Sequence, residues 1–482
     1  MSKYNKRNKT IKNKYDSELC NNKMTFQDCE MAILRQAISD NEKIRGRKIV
    51  SNEDIQKIIK IVEDFIIKKK LICYGGTAIN NILPDEAQFY DKEAEIPDYD
   101  FFSPNAFEDA KELADIYYKE GYIDVEAKAG IHYGTYKVFV NFIPIADITQ
   151  LVKPLFNSIK KDAIKKLGIH YTPANYLRMS MYLELSRPDG DISRWEKVFK
   201  RLNLLNKYYP LKANHCENID FQRKMDEQMD LEEKIYMITR DTFIDSGLIF
   251  FGGYATGLYS KYIDNKGKQQ LLKIPDFDVL SEDPEKTAEL LKEQLEYEGI
   301  KNIKFKYNDP IGEVVPENIE VIVGKNDTIA MIHKPIACHS YNQITIAGKK
   351  INVASIDTIM SLYLSFIYAD SDLHTTRLLC MAKYLFDIQE KNKLKQRGLL
   401  KRFTNKCYGK QETLEDIRSE KSNKFKELKS NRKSKEFQEW FLKYIPGEKE
   451  QTNTDKKEKT NKRVTKKNTS TKKNGIMKLF GL

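Results

Sequence analysis

The stretch LICYGGTAIN at residues 71–80 decides the fold, because it returns as LIFFGGYATG at 248–257. Each reads as a short apolar strand that ends in two glycines and runs into a helix start. Working outward, IPDYDFFS at 96–103 returns as IPDFDVLS at 274–281, and MSMYLELS at 179–186 returns as MSLYLSFI at 360–367. The offsets are 177, 178 and 181 residues, so three matches keep one order and nearly one spacing. Such self-similarity marks two copies of one unit of roughly 180 residues.

Both copies follow one plan. A segment with helical spacing of apolar residues comes first (QKIIKIVEDFIIKK; LEEKIYMITRDTFI). The Gly-Gly strand, an Asp-x-Asp strand and a Lys/Glu/Leu-patterned helix follow, then β-rich stretches (YKVFVNFIPIADIT; IEVIVGKNDTIAMI) and a closing helix. The expected fold is α/β (α+β), a small mixed sheet with flanking helices built twice. The chain divides into a disordered basic tail (1–20), a first domain (21–215), a second (216–390), a basic helical segment (391–445) and a second disordered basic tail (446–482).

Charge follows these divisions. The net charge is +12, yet residues 1–14 carry +6, 456–473 carry +8 and 391–435 carry +11, which leaves about −13 on the rest. Basic ends on an acidic body suit a polyanion partner. No apolar run approaches a membrane span, and the N-terminus lacks the apolar core of a secretory signal. The seven cysteines are scattered with no C-x-x-C, which argues against a disulfide framework and a zinc module and for a reducing intracellular compartment.

Asp98 and Asp100 flank Tyr99 on a strand, so their carboxylates share one face. Two such groups repel unless a cation neutralises them. Mg²⁺ takes carboxylate and phosphate oxygens, and two ions clamp the attacking and leaving oxygens of a phosphoryl displacement. Asp147, in the apolar strand FIPIADIT, is the third acid, because an unpaired carboxylate would be costly there. Gly75 and Gly76 let the backbone approach a phosphate, the helix start after them favours anions, and the Thr77 hydroxyl can add a hydrogen bond. The Lys-Ser/Thr ending of a P-loop is missing. In SRPDGDISRWEKVFKRLNLL, Arg194, Lys197 and Arg201 share a helix face that suits a triphosphate, and Trp195 reads as core.

At YGGTAINNILP, IPDYDFFS, IPIADIT and SRPDGDISRWEKVFKRL the chain resembles the DNA polymerase β-like nucleotidyltransferase superfamily. Within it the chain is most similar to the poly(A) polymerase catalytic subunits of large DNA viruses, of the poxvirus and mimivirus type. The resemblance runs over roughly residues 60–390. It implies template-independent transfer of AMP from ATP to mRNA 3′ ends. Asp98, Asp100 and Asp147 would hold two Mg²⁺ or Mn²⁺ ions, and Gly75, Gly76, Thr77, Arg194 and Lys197 would hold ATP. The RNA 3′ end is the implied partner, with a second copy or a processivity subunit left open, in the host cytoplasm or the virion. The gap from Gly76 to Asp98 is longer than usual for the superfamily, which leaves the role of Asn80 undecided. Uridylyl transfer, protein nucleotidylation and a non-catalytic RNA-binding role remain as alternatives.

The second copy keeps Gly252-Gly253 and Asp276/Asp278, while Thr77 becomes Tyr254. Matching HKPIACHS to FIPIADIT puts Cys338 at the third acid, and matching INVASID puts Ser355 there. Neither is a carboxylate, so the second copy is expected to be catalytically inactive.

Overall fold

The computed structural model describes residues 17–21, 23–216, 229–262, 277–369 and 375–447. Most of both basic tails, the terminal IMKLFGL stretch and Asp276 lie outside these residues.

The first copy opens with helix Glu53–Lys69, whose Asn52 side chain accepts from the Asp54 amide as an N-cap. Its buried face is Ile55, Ile58, Val62, Phe65 and Ile66, at helical spacing. Full burial of each such side chain stabilises by roughly 1.5–3 kcal/mol. Lys70 ends the helix in the left-handed region at φ 55°. Strands β1 (Ile72–Cys73), β2 (Tyr99–Ser103), β3 (Val125–Ala129), β4 (Thr135–Val140), β5 (Ile143–Gln150), β6 (Ile164–Lys166) and β7 (Ile169–Tyr171) follow. The second copy supplies β8 (Ile249–Phe251), β9 (Phe277–Leu280), β10 (Ile303–Asn308), β11 (Asn318–Val323), β12 (Asp327–His333), β13 (His339–Ile346) and β14 (Lys349–Ala354). The late segment adds β15 (Cys407–Tyr408) and β16 (Lys443–Tyr444).

The sheet orders are β16-β3-β4-β5-β2-β1-β7-β6 and β10-β11-β12-β9-β8-β14-β13-β15. Without β15 and β16 the two orders are the same, strand for strand. Orientations agree as well: β1/β2 and β8/β9 are antiparallel, while β2/β5, β9/β12, β1/β7 and β8/β14 are parallel. The mixed sheet is therefore built twice.

The third repeated segment explains its own apolarity. Its two versions lie in helices Ala174–Leu185 and Ile356–Ala369, which pack on each other and join the copies. Tyr176 and Tyr368 meet edge to face at 5.3 Å, and the Tyr182 hydroxyl donates to Gln389 Oε1 at 2.9 Å.

Residues 391–445, expected as a basic helical segment, hold helices Leu414–Leu428 and Lys435–Phe441 but also give one strand to each sheet. Arg402 pairs with buried Asp357 of the second copy and lies over the Phe199 ring of the first at 5.3 Å. The late segment thus straps the copies together.

The expectation of unpaired cysteines is overturned. Cys20–Cys29, Cys216–Cys380 and Cys338–Cys407 are disulfides, with Cα separations of 5.3, 5.5 and 5.1 Å, and buried Cys73 is free. The last two pairs are 164 and 69 residues apart in sequence, and tertiary packing alone brings them within bridging reach. Among the described residues no helix is long and apolar enough to cross a membrane.

Candidate active site

Register places the acids. β2 and β5 run parallel with Asp100 opposite Asp147, and Asp98 immediately precedes β2. Asp98 is exposed at the mouth, while Asp100 and Asp147 are half-buried. Burial, then the Asp98 and Asp147 charges, pushes the Asp100 carboxyl up to about 7, against Lys137 and Arg194. Burial, then the Asp147 charge, also raises Asp98, against Lys137 and Lys197. Mutual repulsion of this kind is what a bound cation relieves. The oxygens of the three acids are spaced more widely than one closed cation site needs, while carboxylate oxygens are the donors that Mg²⁺ or Mn²⁺ takes.

Sequence reasoning missed Lys137. It stands opposite Asp147 on the antiparallel neighbour β4, and its ammonium donates to Asp147 Oδ2. A cross-strand partner of this sort has no signature in residue spacing.

The glycine turn lies against the same acids. Gly75 has φ +71°, and a Cβ there would come within 2.6 Å of Asp100 Oδ2, so glycine is required on two counts. Helix Gly75–Ile82 starts here with Tyr74 at its N-cap and no side-chain cap. Its first-turn amides have no acceptor within the helix, which suits an anion. The Thr77 hydroxyl is buried and donates to the Asp98 carbonyl at 2.6 Å, so it braces the Asp-x-Asp strand.

Asn80 now has a role. Buried Asn80 Oδ1 accepts from the amides of Phe89 and Tyr90, at 2.8 and 2.9 Å, and so fixes the long Gly76–Asp98 loop. Tyr90 in turn accepts from Arg201 at 2.8 Å, and Arg201 lies 4.7 Å from the Phe89 ring centre. A Cβ on Gly76 would come within 3.0 Å of the Arg201 guanidinium, so this cation abuts the glycine turn. Arg194 and Lys197 are exposed on the same helical stretch, and Arg194 pairs with Glu184 at 3.1 Å. Trp195 is half-buried and donates to the Glu184 carbonyl at 3.1 Å, as its core reading requires.

The second copy keeps the turn and loses the acid. Gly252 has φ +69°, and a Cβ there would collide with the Asp278 carboxylate. β9 and β12 pair with Asp278 opposite Met331, as Asp100 lies opposite Asp147. Met331, and neither Cys338 nor Ser355, therefore occupies the third-acid position. Cys338 is bonded to Cys407, and Ser355 shares a hydrogen bond with Ser340 at 2.7 Å.

The same mixed α/β sheet is built twice, and the first copy carries a group of three acids that is incomplete in the second. Residues 60–191 match the family described as "Poly(A) polymerase catalytic subunit". The chain is 36% identical over 180 residues to a putative poly(A) polymerase catalytic subunit of African swine fever virus, covering 36% of this chain and 38% of that protein. It is 28% identical over 285 residues to a protein of the same description from Acanthamoeba polyphaga mimivirus, covering 55% of this chain and 46% of that one. The matched stretches thus span less than half the length of these curated relatives. The crystal structure of the Megavirus polyadenylate synthase superposes with a TM-score of 0.73 at 19% identity, over 94% of this chain and 93% of that one. Over these stretches the chain is similar to viral proteins described as poly(A) polymerase catalytic subunits, and its fold is that of the Megavirus polyadenylate synthase.

Proposed function

We propose that the first copy is a poly(A) polymerase, transferring AMP from ATP to an RNA 3′ end without a template. The observation that carries this reading is the register of Asp100 opposite Asp147, with Asp98 near enough to raise Asp100, beside an uncapped helix start flanked by Arg201. Asp98 and Asp100 would hold both metal ions, and Asp147 the ion nearer the attacking hydroxyl. Bound metal supplies a more acidic 3′-hydroxyl and charge neutralisation on the pyrophosphate. The chain's own residues do the rest. The Gly75 turn presents backbone amides to phosphate oxygens. Arg201, Lys197 and Arg194 add positive charge on the same side. Asn80 and Thr77 hold the two loops in register. The second copy, with Met331 at the third-acid position, is read as inactive, and the basic segments as tracks for RNA phosphates.

The test is incubation of the chain with a short RNA, Mg²⁺ or Mn²⁺ and each nucleoside triphosphate separately. A ladder with ATP alone, weakening steeply as salt rises, is expected. Extension with UTP, or labelling of protein, would redirect the reading to another transfer. No incorporation by a folded protein would overturn it.

A further inference from the structure

The second copy keeps a cavity where the first keeps its carboxylates. A space of about 300 Å³ opens between β9/β12 and the helices Ile356–Ala369 and Thr375–Lys391, with Asp278, Met331, His333 and Phe366 among its walls. By register His333 takes the place of Thr149, two residues beyond the third-acid position. His333 is 3% exposed, and among the described residues neither of its ring nitrogens has a hydrogen-bond partner. Its Nε2 stands 3.9 Å from Asp278 Oδ1, beyond hydrogen-bond range. The ring itself is held: Phe366 stacks on it at 5.5 Å and Phe251 meets it at 5.1 Å. A buried polar group without partners costs about 1–3 kcal/mol. A fixed imidazole lining a cavity with both nitrogens unbonded therefore points to a ligand that bonds them.

Three features select the ligand. Met331 removes the third carboxylate, so the metal that a triphosphate needs has no full ligand set. Asp278, Asp309 and Glu320 line the cavity against Arg377 and Lys306, and Lys306 is paired with Glu320 at 3.1 Å, so the walls are acidic on balance and free phosphate is disfavoured. The volume suits a base with its sugar better than a whole nucleotide, being at the small end of ligand sites. A neutral imidazole offers one donor and one acceptor, which together match the edge of a nucleobase. Aromatic rings around them supply apolar contact for a flat heterocycle. We propose that the former active site of the second copy is a nucleoside pocket that takes an adenine by its base. The choice of adenine rests on the proposed polyadenylation, whose product offers that base at every position; the pocket itself does not rest on it.

Adenosine binding to the full chain is measured by calorimetry in EDTA, without triphosphate, beside uridine, cytidine and guanosine. Binding of adenosine ahead of uridine is expected, weakened about tenfold or more in His333→Phe, which keeps the stacked ring and removes both nitrogens. Photolabelling of the wild-type chain with 8-azidoadenosine should mark peptides within 303–333 or 356–391. This readout stands if His333→Phe fails to fold. Label confined to 71–104, unchanged affinity in folded His333→Phe, or no adenosine binding at millimolar concentration would each overturn the proposal. Tighter guanosine or cytidine would overturn the choice of base. Because the assay needs no catalysis, a failed polyadenylation test and a failed pocket test are separable.

Discussion

Replacing Lys137 with methionine keeps the unbranched stem, one atom shorter, and removes its charge. In the intact chain that ammonium donates to Asp147 from the facing strand and opposes the rise of Asp98 and Asp100. Two unit charges about 4 Å apart attract by roughly 1 kcal/mol in water and roughly 4 kcal/mol at an effective dielectric near 20. Asp147 is 19% exposed and Lys137 37%, so this pair falls between those limits. Solvent screening of the half-exposed lysine argues for the lower part, about 1–2 kcal/mol. Metal-free Lys137→Met should therefore lose about that much stability to urea. Saturating Mn²⁺ should restore most of it, because the ions take over neutralisation of the same three acids. Mn²⁺ should also bind more tightly, since no ammonium competes for Asp147; 1.4 kcal/mol corresponds to about tenfold. Urea unfolding in EDTA and in Mn²⁺, with calorimetric Mn²⁺ titration, reads both effects. Equal destabilisation in the two conditions, with unchanged Mn²⁺ affinity, would refute the account and make Lys137 a packing residue.

The raised Asp100 gives a pH dependence. Its folded pKa moves from 3.8 to about 7, so the metal-free fold keeps a proton that the unfolded chain releases. The stability this proton contributes is full below about pH 4 and is lost as pH rises toward 7. Metal must displace the proton, so Mn²⁺ affinity should fall by up to about tenfold from pH 8 to pH 6, with proton release measurable in buffers of different ionisation heat. An affinity flat over that range would remove Asp100 from the ligand set. The duplication gives a third test. Asp98→Ala should lower nucleotide addition by a factor on the order of 10²–10³, whereas Asp276→Ala should leave it within about threefold, and equally deep losses would show that the second copy takes part in catalysis.

What the sequence could reveal depended on whether a feature is local. The Gly-Gly and Asp-x-Asp segments are local, and each recurs with its flanking residues, so the duplication and the strand carrying Asp100 could be read directly. Asp147 was legible because a lone acid inside FIPIADIT conflicts with burial. Its counterpart was not. The offset between the copies is 178 residues from Asp100 to Asp278 but 184 from Asp147 to Met331, by the register of the paired strands. The connection between these strands thus differs in length, and the shared Pro-Ile-Ala of 144–146 and 335–337 drew the match to Cys338 instead. Lys137, the Asn80 bonds to the loop and the cysteine pairs share one cause. Each is a contact made by strand pairing or packing, between residues whose spacing follows no helical or strand period. Arg201 shows the converse, because its helical spacing could be read from residues, while its contacts with Tyr90 and the glycine turn could not. Chemistry that resides in one element could be read from residues, whereas chemistry completed across two strands required the register. The third-acid position is of the second kind: strand pairing puts Asp147 there in the first copy and Met331 in the second.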